Sequence, residues 1–179
     1  MKPSLLLAAA VGALGLSACV AGPVGNRNPP QPAKTVDLDR YVGRWYEVAR
    51  YDMRFEKGCE GVTADYAKRP DGLIRVLNTC HQGAVDGPVK TSEGKAKVVD
   101  TATNAKLKVS FFGPFWGDYW VLDHADDYSW SIVGEGSGRY LWLLSRKLPT
   151  EADRAALTAR AKALGYDVGM LRPTKQPTP

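Results

Sequence analysis

The chain is poor in the residues that carry most chemistry at neutral pH. It has two histidines, His81 and His124, and three cysteines among 179 residues. No His-x-x-x-His, Cys-x-x-Cys or Gly-x-Ser-x-Gly is present, so a zinc site would lack ligands and no nucleophile elbow is written into the sequence. Asp123-His124 has the composition of a triad fragment, but a surface turn is the plainer reading. Runs of Lys or Arg are missing as well. Basic residues are scattered and the net charge is only +5, roughly +4 without Lys2, which points away from nucleic acid. A weak attraction to anionic lipid surfaces is the more natural consequence. Finally, the apolar run Leu5 to Leu14, broken only by Gly12, is too short to span a bilayer as a permanent helix.

What is present fits one exported domain. Apolar residues make up 44% and charged residues 24%, an ordinary globular balance that argues against disorder throughout. Lys2 followed by the short apolar run reads as a secretory signal, residues 1–18. The run ends Leu16-Ser17-Ala18-Cys19, which resembles the lipobox of bacterial lipoproteins. That resemblance implies a diacylglyceryl group on Cys19. The alternative is a plain signal cut near Ala18, with Cys19 an ordinary thiol. Val20, rather than an aspartate, follows the cysteine and resembles an outer-membrane address. Residues 19–36 carry Pro23, Pro29, Pro30 and Pro32, a composition expected of an extended tether between the anchor and the domain.

Short apolar or alternating runs between turn signals read as eight strands: Gly43–Tyr51, Gly61–Lys68, Leu73–Thr79, Thr91–Val99, Ala105–Phe112, Asp118–His124, Tyr128–Gly134 and Arg139–Arg146. Leu107, Val109 and Phe111 alternate with Lys106, Lys108 and Ser110, giving one apolar and one wet face. Without intervening helices, such a series forms an antiparallel meander, and closure into a barrel removes both edges. The link Asp52 to Glu60 is the longest and is suited to a lid. Thr150, Glu151 and Asp153 resemble a capping box, and Leu157, Ala161 and Leu164 recur at helical spacing. This predicts a helix over Glu151–Leu164, packed outside the barrel. A short extra strand is expected within Tyr166 to Leu171, and residues 173–179 are expected to be a loose tail.

Cys59 and Cys80 flank the hairpin turned at Pro70-Asp71-Gly72. Export and hairpin folding make a disulfide between them plausible, against two buried free thiols. Such a bridge would add on the order of 3 kcal/mol.

Val42-Gly43-Arg44-Trp45-Tyr46-Glu47-Val48-Ala49-Arg50, with Tyr140-Leu141-Trp142-Leu143-Leu144-Ser145-Arg146 about 100 residues later and a helix after that, resembles the lipocalin family. The match runs from about Asp37 to Arg172. Arg54-Phe55-Glu56-Lys57-Gly58, Ser92-Glu93-Gly94-Lys95-Ala96 and Leu107 to Phe115 bring it closest to the bacterial outer-membrane lipocalins. Asp126-Asp127-Tyr128 departs at its first position from the family's Thr-Asp-Tyr.

The resemblance implies an all-β, eight-stranded antiparallel up-and-down barrel over residues 37–172 with one external C-terminal helix. Gly43, Trp45 and Arg146 would form the closed end. It further implies storage or transport of fatty acids (palmitate-like) or lysophospholipids on the periplasmic side of the outer membrane, with no cofactor and no turnover. Strand parity puts Glu47, Ala49 and Tyr51 on the inner face with Trp45. Val109, Phe111, Tyr119, Val121 and Trp130 are further wall candidates, with Phe55 and Trp116 on loops at the mouth. Glu47 would be costly inside unless it pairs with a neighbouring Arg or Tyr, or meets a polar group of the ligand. A lipocalin-type isomerase using Cys59 or Cys80, and a scaffold with a filled barrel, are the alternative functions. A homodimer is left open.

Overall fold

The computed structural model describes residues 23–178. Antiparallel strands run in the order β1 Gly43–Tyr51, β2 Cys59–Lys68, β3 Ile74–Gln82, β4 Val89–Val98, β5 Lys106–Ser110, β6 Gly117–His124, β7 Trp130–Gly134 and β8 Leu141–Ser145. Each pairs with its successor. β1 pairs with β2 through Gly43 to Tyr46 and with β8 through Tyr46 to Arg50, so the sheet closes on itself. The result is the expected eight-stranded antiparallel barrel with one helix outside.

A short helix, α1 Leu38–Tyr41, precedes β1 and has no strong signal in the sequence. The Asp37 carboxylate caps it, accepting from the Asp39 and Arg40 amides. α1 leads into the closed end. There the Arg146 guanidinium lies 3.9 Å from the centroid of the Trp45 ring and donates to the carbonyls of Arg40, Arg44 and Tyr41. Trp45 Nε1 donates to Tyr41 O at 2.9 Å. Gly43 has φ +101°, and a Cβ there would lie 3.1 Å from Arg146 Nη1, so a larger residue would disturb both backbone and lock.

The helix α2 spans Glu151–Ala163 with Leu164 as its C-cap. Its capping box is formed: Asp153 N donates to Thr150 Oγ1 at 3.2 Å, and Thr150 N to Asp153 Oδ2 at 2.9 Å. Leu157 and Ala161 pack on Val48, Ala49, Leu122, Ile132, Leu141 and Leu143, a layer between helix and barrel wall.

Two expectations about the termini are corrected. The Pro-rich segment was expected to be a free tether, but from Gly25 onward it is strapped to the barrel. Val36 N donates to Thr103 O at 2.7 Å and Ala33 N to Leu122 O at 3.2 Å, while the Gly25 and Asn26 amides both donate to Gly138 O. Prolines supply no amide, so the strap is pinned by the residues between them. At the other end, a ninth strand, β9 Leu171–Pro173, pairs with Ala49 to Tyr51 of β1. The tail beyond it is held as far as Gln176: Thr174 is fully buried, and Gln176 Nε2 donates to Glu47 O and Val62 O. Cys19 and residues 1–18 lie outside the described residues.

Cys59 and Cys80 are joined by a disulfide, at a sequence separation of 21. Cys59↔Gln82 and Thr63↔Thr79 are paired positions of the β2–β3 ladder, with a bulge between Glu60 and Thr63, so hairpin folding brings the two cysteines together. From the loop it closes, replacing both cysteines by serine should lower unfolding free energy by about 3 kcal/mol, measured by denaturant titration of the exported protein.

Candidate functional site

The strands enclose a cavity of about 870 Å³ that opens at the end opposite the Trp45–Arg146 lock. Its wall is largely apolar: Val62 and Ala64 of β2, Ile74 and Val76 of β3, Ala96 of β4, Leu107 and Val109 of β5, and Trp142 and Leu144 of β8. Period-two alternation turns these side chains inward and leaves Arg75, Lys95, Lys97 and Lys108 for the outer surface. Gly94 serves the wall in another way. A Cβ there would meet Ser110 O at 2.6 Å and the Phe111 ring at 2.7 Å, so its absence lets the ring settle against β4.

The cavity floor is polar but uncharged. Tyr119 Oη lies 3.1 Å from Tyr41 Oη and 3.0 Å from Tyr66 Oη, and Tyr41 also reaches Ser131 Oγ at 3.1 Å. Burial pushes the Tyr41 phenol up to about 12 and raises Tyr66 and Tyr119 as well. All three therefore remain neutral, and they satisfy one another rather than requiring a ligand.

A charged cluster sits on one side wall. Arg50 is fully buried and donates from Nη1 to Glu47 Oε1 at 2.5 Å and to Thr174 Oγ1 at 3.0 Å. Its Nη2 donates to Glu56 O at 2.8 Å and Cys59 O at 3.1 Å, and its Nε lies 3.1 Å from Glu56 Oε2. Trp142 Nε1 donates to the same carboxylate at 3.4 Å. One guanidinium thus serves two carboxyls. Burial pushes the Glu56 carboxyl up to about 8, helped by the nearby Glu47 charge and opposed by Arg50. Burial also raises Glu47, against the pull of Arg50 and Thr174. Glu47 is therefore paired within the wall, as one of the two sequence readings anticipated.

Of the sequence candidates, Glu47, Phe55, Val109, Phe111 and Tyr119 line the cavity, and Trp116 borders its mouth with its ring turned to the outer face, 4.4 Å from the Lys97 ammonium. Four do not. Ala49 and Tyr51 face the layer under α2, because β1 carries a bulge: Glu47 pairs with Leu144 and Ala49 with Leu143, leaving Val48 as an extra residue. The parity of β1 reverses there, and Arg50 points inward where Tyr51 was expected to. Val121 is interior but lies in the packed lower core with Trp45 and Val133. Trp130 is outside, its ring centroid 4.4 Å from the Arg160 guanidinium of α2. The tyrosine floor was missed apart from Tyr119, and so were Arg50 and Glu56. Arg50 and Glu56 were visible as charges beside Glu47, but the bulge that joins them was not.

His124 is buried, not in a surface turn. Its ring stacks 4.4 Å from that of Tyr128, and its nitrogens lie against the carbonyls of Ala125 and Thr35. Both sulfurs of Cys59 and Cys80 are in the disulfide, so neither is the free thiol that the isomerase reading assigned to them.

The raised Glu56 carboxyl sets a pH dependence. A group whose pKa is higher folded than unfolded contributes stability that is present at low pH and lost as pH rises through the folded value. Unfolding free energy should therefore decline between about pH 5 and pH 8. Glu56→Gln, which mimics the protonated form, should flatten that slope in denaturant melts. An unchanged slope would place the titration elsewhere.

Residues 36–176 match the family model for the lipocalin-like domain. The outer membrane lipoprotein Blc of Escherichia coli K12 is 41% identical over 177 residues, covering 96% of each chain. The protein of the same name from Vibrio cholerae is 42% identical over 159 residues, covering 87% of this chain and 91% of its own. Insecticyanin from the tobacco hornworm Manduca sexta shares the fold with a TM-score of 0.66 at 19% identity, covering 85% of this chain and 87% of its own. A closed barrel with an external helix, a capped end and an open apolar cavity, matched along most of its length by these relatives, makes this chain a member of the lipocalin family.

Proposed function

We propose that this protein is an outer-membrane lipoprotein, acylated on Cys19 and facing the periplasm, that binds and carries single-chain lipids: fatty acids or lysophospholipids. The observation that carries the reading is the apolar cavity of about 870 Å³, closed below by neutral tyrosines and open above. That volume lies in the range of small-molecule pockets. An acyl chain lying along Val62, Val76, Val109 and Leu144 meets hydrocarbon throughout, while its headgroup stays in the mouth beside Phe55 and Trp142. The names of the bacterial relatives support the address, and Leu16-Ser17-Ala18-Cys19 supports the anchor.

Binding without turnover is the proposed activity. Each methylene moved from water to the wall contributes about 0.8 kcal/mol. Affinity in a lysophospholipid series should thus rise about fourfold per added CH₂ until the chain reaches the tyrosine floor, then level off. Isothermal titration across the series tests this, and affinity independent of chain length would overturn it. Native mass spectrometry of the full chain extracted from its own membrane should show a co-purifying single-chain lipid. An empty barrel would count against carriage and for a scaffold.

A further inference from the structure

We infer that the open end of the barrel, not its side or its closed end, rests on the lipid bilayer. This goes beyond the carrier reading and draws on its anchor at Cys19.

Two independent observations converge. The first is the rim. Strand connections alternate between the two ends of an up-and-down barrel, so β1–β2, β3–β4, β5–β6 and β7–β8 all lie at the mouth. Large exposed apolar side chains gather there: Phe55 at 67%, Phe112 at 78% and Phe115 at 76% exposure, with Tyr140 beside Phe55 at a ring separation of 6.0 Å. Val89, at 60%, begins β4 at the same end. The mouth connections carry nearly balanced charge, with Asp52, Glu56, Asp86 and Glu135 against Arg54, Lys57 and Arg139. Clustered aromatic rings with little net charge suit the headgroup–acyl boundary of a bilayer.

The second observation is where the strap ends. It leaves the closed end at Val36, bonded to Thr103 of the β4–β5 connection, and climbs the outer wall past Leu122 to Gly138 in the β7–β8 connection. Asp167 N donates to Gly25 O at 2.8 Å and Asn26 Nδ2 to Leu164 O at 3.0 Å, fixing the strap beside the C-terminus of α2. The chain thus departs toward Cys19 from the mouth. Six peptide bonds link Cys19 to Gly25, a reach of at most about 20 Å. Ten-residue strands at barrel tilt span about 25 Å of height. The leash is shorter than the barrel, so an anchor at Cys19 cannot bring the closed end to the membrane while the strap holds. It can bring the rim aromatics there.

This orientation would let a lipid pass between bilayer and cavity without crossing water, because the exposed rings bridge the two apolar phases.

The test is hydrogen exchange on the full mature chain in vesicles of phosphatidylethanolamine and phosphatidylglycerol. The comparison is vesicle-free protein loaded with a monomeric lysophospholipid, which subtracts the effect of cargo. We expect added protection at residues 52–58, 83–88, 111–116 and 135–140. The closed-end turns at 69–73, 99–105 and 125–129 should be unchanged. Protection at the closed-end turns, or at neither end, overturns the inference. So does mouth protection that appears without vesicles and grows with protein concentration, which would assign the rim to a second copy. In a Cys19→Ser background, Phe112→Ser with Phe115→Ser should weaken vesicle partitioning at least tenfold, and equal partitioning would also overturn it. The mass of the mature N-terminus reports acylation separately. An acylated chain with an unprotected mouth keeps the anchor and discards the orientation, and an unacylated chain with a protected mouth does the reverse.

Discussion

The structure depends on the way β1 satisfies two neighbours. Its first half pairs with β2 and its second with β8, and without both ladders the sheet would have open edges and the cavity no wall. A straight strand would keep one face inward along its whole length. The extra residue at Val48 breaks that rule, so a single strand contributes Trp45 and Glu47 to the interior, then Val48 and Ala49 to the layer under α2, then Arg50 to the interior again. Helix docking and cavity wall are thus built from the same nine residues.

Polarity is graded along the barrel axis. The closed end is sealed by a guanidinium over an indole and by carbonyl bonds, above which neutral phenols form the floor. The middle is hydrocarbon, the Arg50 cluster occupies one side, and aromatic rings stand exposed at the mouth. An amphiphile meets its most favourable surroundings in one direction only, tail toward the floor and head toward the mouth. The buried charges do not disturb this gradient, because Arg50 is ion-paired with Glu47 and Glu56 and hydrogen-bonded to Thr174 inside the wall, and leaving one unpaired would cost far more than losing an exposed ion pair.

Much of this was legible in the chain. Alternation at Leu107, Val109 and Phe111 described β5 and its inner face, and Thr150 with Asp153 marked the start of α2. Strand existence was read correctly, while ends moved by one to three residues, as at β3, which runs on to Gln82. The errors have physical causes. Alternation carries no mark of a bulge, so Ala49 and Tyr51 were placed on the wrong face. Proline-rich composition describes a segment with little core-forming power, but not whether its remaining amides find acceptors on a neighbouring wall, as those of Gly25, Ala33 and Val36 do. The same holds for Thr174 and Gln176, polar residues near a terminus that are held by Arg50, Glu47 and Val62.

The sequence by itself determined the strand periods, the helix and its cap, the glycine at the lock and the supply of apolar and aromatic side chains, because each depends on local backbone preference or on spacing of two or 3.6 residues. Only the tertiary structure decided which charges share one guanidinium, which aromatics face the cavity rather than α2, and at which end the N-terminal strap leaves the barrel. Those outcomes follow from sheet closure, from the bulge in β1, and from hydrogen bonds between residues far apart in the chain, such as Arg50 with Thr174 and Asn26 with Leu164, and no local pattern encodes them.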